Sequence, residues 1–542
     1  MTPEPVTTKP PSLGAQVSRA VLWNVIFVPL RMLAEILQTL VKLTALPPIS
    51  YGILSLISAT NSGLGTWIDL GTGRALPKFI PESTQRGGAR AVTRLLLAAL
   101  GAQMALLLVI GGAIIVLRER YFAYLRGLVS GAANVPAADQ QRLLGFIQQS
   151  GGVLIGAILA VLLFGIFYDV LMAYLSSFFR QRAWNSITLA AQLMPPLLTA
   201  AVILTGWDIA GVVAVMVFAP AIATALVGWQ VLRHQRQLAP LAGTADDGRW
   251  LPPGFARYCS VSFLMTATDY LASAGFAAFF ASDAVEIAVL MAGVNIVKVV
   301  LSYLYTPMVG VQVPLFTRVR AGEGGTLQGA YQTLIRLQVL LLVPGGVGLV
   351  LLARPIFGLL QNKYIEAAPL VWILVPCLFL ESLLTTAHNA LIVYEKLRVI
   401  VISRLLTLVC VPLVVLLFPL LGGVGAALAF GLARVLAGIW ATANGYRLLG
   451  LRWPWQFSGR VALASGAMAI VVGLLSWLVP SPAATASSLE RLALLPGVLM
   501  LSLVGGAVFL AALRLLGGID PNDRRQLAQL KIPGKRWILR VL

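Results

Sequence analysis

The sequence predicts an all-α polytopic membrane protein of about fourteen spanning helices, arranged as two pseudo-symmetric six-helix lobes followed by two further helices. Three features predict it. Of the 542 residues, 58% are apolar and 11% charged, whereas roughly a quarter of an ordinary soluble chain is charged. Runs of the roughly 20 apolar residues needed to cross ~30 Å of hydrocarbon follow one another almost from end to end. Local patterns of the first half also recur in the second.

Apolar runs bounded by Pro, Gly and charge clusters place helices at 18–45, 51–76, 91–117, 149–176, 184–205 and 208–233, then at 256–281, 285–315, 333–353, 366–394, 397–419 and 422–447, and finally at 456–479 and 492–515. The implied organisation is a cytoplasmic N-terminal tail (1–17), an N-lobe (18–233), a cytoplasmic linker (234–255), a C-lobe (256–447), two extra helices (448–515) and a basic cytoplasmic tail (516–542). The first apolar run carries Arg31 and Glu35 and is too long and too charged for a cleaved signal peptide. Lys and Arg near helix ends stay on the cytoplasmic side. With both termini inside, most of the 40 basic residues fall in cytoplasmic connections. Arg118, Arg120, Arg126, Arg142, Arg354, Lys363 and Arg491 are left outside, and Arg31, Lys42, Lys298 and Arg434 lie within spans.

The halves echo each other. Ala173-Tyr174-Leu175, a basic turn from Arg180 to Arg182, a helix through Pro195-Pro196 and an opening Gly206 find counterparts in Asn389-Ala390-Leu391, the turn Glu395-Lys396-Leu397-Arg398, a helix through Pro412 and Gly422-Gly423. A weaker echo joins the exits Pro77-Lys78-Phe79 and Pro314-Leu315-Phe316-Thr317-Arg318. Both copies begin inside, so the repeats are parallel, an arrangement that places a central cavity between lobes and suits rocking alternating access.

Several function classes are disfavoured. An excess of 40 basic over 20 acidic residues could suggest nucleic acid, but so little extramembrane surface points to orientation and anionic lipid instead. Cys259, Cys377 and Cys410 lie in or beside apolar runs without paired spacing, so neither disulfides nor a metal site are expected. No Gly-rich loop ending in Gly-Lys-Ser/Thr is present to bind a nucleotide phosphate. The longest outer connection, Arg118 to Gln148, holds Asp139 as its lone Asp, with Glu119 at its start, too few acids for a membrane glycosyltransferase. No enzymatic activity and no cofactor are expected. That connection reads as a short amphipathic surface helix. In the tail, Arg524, Arg525, Lys531, Lys535 and Arg536 interleave with Ile532, Trp537, Ile538 and Leu539, as in a segment lying on anionic cytoplasmic lipid.

Two sets of residues carry a resemblance. Tyr364-Ile365-Glu366-Ala367-Ala368-Pro369-Leu370, the turn Tyr394-Glu395-Lys396-Leu397-Arg398 and Gly422-Gly423-Val424-Gly425-Ala426-Ala427 resemble the C-terminal lobe of polysaccharide flippases of the multidrug/oligosaccharidyl-lipid/polysaccharide exporter superfamily. Tyr51-Gly52 and Asp69-Leu70-Gly71-Thr72-Gly73-Arg74 are similar to their second helix. The resemblance spans roughly 18–515. It implies a MATE-like arrangement, a bacterial cytoplasmic membrane, and translocation of a polyprenyl-pyrophosphate-linked oligosaccharide for cell-surface polysaccharide. A polysaccharide polymerase or glycosyltransferase would be the implied protein partner, and H+ or Na+ the implied coupling ion. O-antigen and exopolysaccharide flippases usually have twelve helices, and fourteen is similar to the lipid II flippase branch. An ion-coupled multidrug exporter of the same superfamily is the other alternative.

A charge at the bilayer centre costs about 2.5–3.5 kcal/mol on insertion scales, which makes each mid-span ionisable group a candidate. Arg31 and Glu35, one turn apart, share a face of the first helix. Asp69 lies near the inner end of the second helix, Asp169 near that of the fourth, Asp269 is mid-span on the seventh and Lys298 in the outer half of the eighth. Glu381 and His388 lie on the tenth and Arg434 on the twelfth. In proteins resembling this one helices 1, 2, 7 and 8 line the transport path, which would place Arg31, Lys298 and Asp269 on it; Arg31, Lys298 and Arg434 are the expected contacts for a pyrophosphate, with Arg434, on a helix that is usually peripheral in those proteins, equally open to a structural role. Arg31 and Glu35 could equally satisfy each other. Glu35, Asp69, Asp269 and Glu381 are candidates for ion coupling, with Asp269 and Glu381 open also as counter-ions for Arg31 or Lys298.

Overall fold

A computed structural model describes residues 13–132, 135–178, 180–207, 209–236, 250–320, 322, 325–477, 491 and 494–517. The N-terminal tail to residue 12, the inter-lobe linker over 237–249 and the basic tail from 518 onward lie outside these residues.

The described chain is helical, with no strand. In order, α1 spans Leu13–Ala45, α2 Pro48–Asp69, α3 Thr72–Ser130, α4 Ala137–Gln149, α5 Gly151–Ser177, α6 Gln181–Leu204 and α7 Ile209–Gln235. Then come α8 (Phe255–Leu271), α9 (Ala274–Ala277) with a 3-10 turn at Ala278–Phe280, α10 (Ala284–Arg320), α11 (Leu327–Leu360), a 3-10 turn at Asn362–Ala367 and α12 (Ala368–Val393). The chain continues through α13 (Leu397–Thr407), α14 (Cys410–Leu421), α15 (Gly423–Leu449), α16 (Trp455–Ser476) and α17 (Leu495–Leu515). Among the described residues, 11 helical stretches are long and apolar enough to cross a membrane, or 12 if α8 and α9, bent by 54°, form one crossing. One stretch, Pro48–Ser130, contains two predicted spans, and α1, which is not among the 11, carries the first predicted span. Every predicted apolar segment is therefore helical.

The differences from expectation lie at the joints. The second helix ends at Asp69 rather than near residue 76, because Leu70 (φ 52) and Gly71 (φ 76) turn the chain left-handed. Only glycine suits position 71: a Cβ there would sit 2.3 Å from the Cys259 carbonyl oxygen. The polar stretch expected as a loop after residue 76 is helical despite Pro77 and Pro81, and α3 departs from helical torsions only at Gly87 and Gly88. Its residues Ala75, Leu76, Phe79 and Ile80 are buried with Tyr174, Ile187, Val227 and Phe255, which makes the stretch amphipathic rather than disordered. The predicted outer surface helix is α4, which buries Leu143 and Ile147. The seventh predicted span breaks at Ala272–Ser273, where Ser273 accepts a hydrogen bond from the Phe276 N–H at 3.3 Å and so caps α9. The eleventh divides into α13 and α14.

Contacts divide the chain into two compact units. The first comprises the described residues within 1–45, 57–126 and 141–267. There α1 packs on α6, and α5 on α6 and α7. The second comprises those within 46–56, 127–140 and 268–542, with α12 packed on α10, α11 and α15, and α16 on α11 and α17. Tyr51 and Tyr364, from the two sets of residues that carry the resemblance, meet edge to face in this unit with centroids 6.1 Å apart. Gly52 beside Tyr51 permits close backbone approach, since a Cβ would fall 1.8 Å from the Ala284 carbonyl oxygen of α10.

The echoed turns share backbone geometry. Before α6, Arg180 (φ −78, ψ 49) donates its N–H to the Leu175 carbonyl at 3.1 Å. Before α13, Lys396 (φ −80, ψ 56) donates to the Leu391 carbonyl at 3.0 Å.

Candidate functional site

In the first unit, α1 presents Arg31 with its guanidinium carbon 5.2 Å from the centroid of the Trp184 ring on α6. Its Nε is buried and makes no hydrogen bond. A desolvated cation–π contact is worth about 2 kcal/mol, of the same order as the cost of about 2.5–3.5 kcal/mol for a charge at the bilayer centre. Glu35, one turn on, accepts a hydrogen bond from Gln192 Nε2 of α6 at 3.2 Å. Arg31 and Glu35 are electrostatic neighbours but form no ion pair with each other.

Asp69 has a local structural task. Its Oδ1 accepts hydrogen bonds from the Gly73 N–H (2.9 Å), the Thr72 hydroxyl (3.1 Å) and Gln103 Nε2 (3.3 Å). A carboxylate there satisfies one open N–H group of α3, that of Gly73, and complements the positive end of its dipole. Gln103 also donates to Thr72 Oγ1 at 2.5 Å.

The same carboxylate lines a cavity of 450 Å³. Around it stand Asn61, Ser62, Thr66 and Asp69 of α2, Gln103 of α3, Asp169 of α5 and Thr266 of α8. No Lys, Arg or His is in its lining. Asp169 is exposed into it and makes no hydrogen bond or ion pair among the described residues. Asn61 Oδ1 and Gln103 Oε1 are buried acceptors with no donor, each a deficit of about 1–3 kcal/mol unless something answers it. Asn61 and Gln103 were not among the residues singled out in the sequence. Their signal was an amide within a predicted span, Asn61 in the hydroxyl-bearing stretch Ser58-Ala59-Thr60-Asn61 and Gln103 in Gly101-Ala102-Gln103-Met104.

In the second unit the two carboxylates open as counter-ions find arginines other than those expected. Asp269 pairs with Arg404 of α13 at 2.5 Å, and His388 of α12 is close enough to feel both charges. Glu381 pairs with Arg434 of α15 at 3.0 Å. Arg434 also donates from Nε and Nη2 to the Ala272 carbonyl, both at 3.3 Å, and its guanidinium lies 5.3 Å from the Phe430 ring centroid. Ala272 precedes the break between α8 and α9, so Arg434 satisfies a carbonyl that the interrupted helix leaves without its partner. The Arg434 guanidinium is thus held by Glu381, the Ala272 carbonyl and the Phe430 ring. Arg404 lies in the last turn of α13.

Lys298 of α10 is different. Its side chain is exposed, and its ammonium makes no hydrogen bond or ion pair among the described residues. Its electrostatic neighbours are Arg434 and Glu381, and since these two pair with each other, Lys298 is the charge left over.

No protein-family model matches the chain, and no curated protein matches it. Solved structures do. The lipid II flippase MurJ in an inward closed conformation aligns with a TM-score of 0.66 at 11% identity, covering 91% of this chain and 99% of that one. A multidrug resistance MATE family transporter of the MOP superfamily, inward-facing, aligns with a TM-score of 0.56 at 14% identity over 77% and 94%. A MOP superfamily transporter from Pyrococcus furiosus, described for the reverse polarity of its binding pocket, aligns at 0.51 and 12% over 82% and 99%. The all-α polytopic fold of this chain is therefore the one these MurJ and MATE proteins share.

Proposed function

We propose that this protein is a flippase that carries a polyprenyl-pyrophosphate-linked oligosaccharide across the bacterial cytoplasmic membrane by alternating access, for cell-surface polysaccharide biosynthesis. The observation that carries the reading is Lys298. An ammonium on a spanning helix costs about 2.5–3.5 kcal/mol, and a neighbouring ion pair already closed on itself offers it no counter-ion. An anionic headgroup would supply one. Pyrophosphate oxygens accept hydrogen bonds from Lys as a point charge and from Arg as a fork, and Arg31 offers a second cation without an ion pair in the first unit. The fold shared with a lipid II flippase supports a lipid-linked substrate.

A second reading, an ion-coupled multidrug exporter, is favoured by the acid-lined cavity of the first unit. Translocation of a fluorescent lipid-linked oligosaccharide in proteoliposomes separates the two. The wild type is expected to flip the lipid, with Lys298→Ala and Arg31→Ala each lowering the rate at least tenfold at equal amounts of folded protein. Transport of cationic dyes with no movement of the lipid would overturn the flippase reading, and movement of lipid II alone would reassign the substrate.

A further inference from the structure

We propose that the amphipathic start of α3, together with the start of α8, is a binding surface for an anionic phospholipid whose phosphate is held by Lys78 and Arg257 at the headgroup boundary of the first unit. The inference holds whatever the chain transports, because the surface lies at one end of that unit and its occupancy is measured without a transported substrate.

Residues 72–86 form a strap between two breaks in the chain. Leu70 and Gly71 (φ 52 and 76) turn the backbone before it, and Gly87 (φ −150, ψ 20) and Gly88 (φ 60, ψ −149) turn it again before the spanning part of α3. Within the strap Thr72, Ala75, Leu76, Phe79, Ile80 and Ser83 are buried, while Arg74, Lys78, Gln85 and Arg86 are exposed. That is the pattern of a helix lying along an interface, with cations on its polar face. Its buried face belongs to one cluster with Tyr174 near the end of α5, Ile187 near the start of α6, Val231 near the end of α7 and Phe255 at the start of α8. Four helix ends of the unit are therefore gathered at the level of the strap.

Two transitions from apolar to cationic mark that level as the edge of the hydrocarbon. On α7 the exposed Phe218, Ile222, Leu226 and Trp229 form one stripe at helical spacing, which ends at Arg233 with its guanidinium carbon 5.8 Å from the Trp229 ring centroid. On α8 the exposed Leu264, Val261 and Tyr258 run back toward the first turn. There the Lys78 ammonium stands 4.6 Å from the Tyr258 ring centroid and 5.1 Å from that of Phe79. An aromatic ring with a cation beside it, at the end of an apolar stripe, is how spanning helices meet the headgroup layer.

Charge at this corner is one-signed and uncommitted. Lys78 and Arg257 make no hydrogen bond or ion pair among the described residues, and Glu82, the acid of the strap, is closed on Arg86 at 2.5 Å. Arg257 adjoins Tyr258 in the chain, so the two cations border one aromatic residue. A phosphodiester anion supplies the missing partner, since its oxygens accept from a guanidinium fork and from an ammonium. Tyr258, Val261 and Leu264, with Trp250 and Leu251 exposed just before α8, offer apolar surface that suits an acyl chain and that a free phosphate would leave unused. Occupancy would hold the strap in place and so couple the left-handed elbow at Leu70 and Gly71 to the anionic lipid content of the leaflet.

The test is thermal unfolding of the purified full chain in detergent, titrated with phosphatidylglycerol or with phosphatidylcholine at equal lipid fraction. A saturable rise in Tm with phosphatidylglycerol alone is expected, because a ligand that binds only the folded state stabilises by mass action. Lys78→Gln with Arg257→Gln should raise the half-saturating lipid fraction at least tenfold, with Tm in pure detergent unchanged. Lys78→Arg, which keeps the charge, should bind as the wild type does. Lys396→Gln with Arg398→Gln removes two exposed cations from the turn before α13 in the second unit and should leave the rise intact. Equal weakening in that second pair would mean diffuse attraction to a basic chain and would overturn the site. An equal rise with phosphatidylcholine, or one reproduced by inorganic phosphate, would overturn it as well. A rise with a polyprenyl pyrophosphate but not with phosphatidylglycerol, lost in the first pair, would also overturn it and make the surface a docking point for a transported lipid.

Discussion

The two units differ in how they treat buried charge. In the second, the carboxylates of Asp269 and Glu381 each close on an arginine, and the surplus is a cation, Lys298. In the first, Arg31 and Glu35 are neighbours that form no ion pair, and at the cavity Asp69 holds a helix start and Asp169 has no partner among the described residues, so the surplus around the cavity is negative. Yet the turns leading into α6 and α13 have nearly the same torsions and the same closing hydrogen bond. A repeated backbone therefore does not carry repeated chemistry. Turn geometry depends on local torsions and chain direction, whereas the sign of a buried cluster depends on a few side chains arriving from different helices.

The largest effect that could break this comparison is at Glu381 and Arg434. Their side chains are 25% and 24% exposed, so removing one partner leaves a largely buried charge without its counter-ion. Glu381→Ala should destabilise by about 3 kcal/mol, the lower end for breaking a buried pair, while Glu381→Leu with Arg434→Leu recovers most of the loss. Stability in detergent, followed by thermal unfolding, checks this through the double-mutant cycle. If the single variant is neutral, the pair is not structural and Arg434 returns as a substrate contact.

Much of the fold was legible because a spanning helix must be apolar for its whole length. The joints were harder. Ala272-Ser273-Ala274-Gly275 is small and nearly apolar, so hydropathy runs through the break that the Ser273 cap creates. Pro77 and Pro81 read as loop residues, yet Ala75, Leu76, Phe79 and Ile80 recur at helical spacing, and their burial overrides the prolines. At the site level, a mid-span charge announces itself but its partner does not. Asp269 and Arg404 lie 135 residues apart, and nothing in the local sequence of either points to the other. Lys298 was visible as an isolated cation, whereas the cavity needed Asn61, Gln103, Asp169 and Thr266 to converge from four helices.

A smaller effect separates the two roles of Asp69. Asp69→Ala removes the acceptor for the Gly73 N–H and should cost about 1 kcal/mol, the usual loss of an N-terminal cap. Asp69→Asn keeps an acceptor and should recover most of that stability while losing the charge. Equal loss in both variants would show that the charge itself, through the α3 dipole, holds the elbow.

The smallest expected effect is the sharpest contrast. Asp169→Asn deletes a spanning-helix carboxylate and, unlike substitutions at Asp269 and Glu381, breaks no ion pair among the described residues and relieves repulsion with Asp69. In metal-free buffer its stability should stay within about 0.5 kcal/mol of wild type, the range for a substitution outside any network, or rise. The comparison with Glu381→Ala should be made on the same preparation, because both remove one negative charge from a spanning helix. A loss above about 2 kcal/mol at Asp169 would reveal a structural partner, and the first unit would then handle buried charge as the second does.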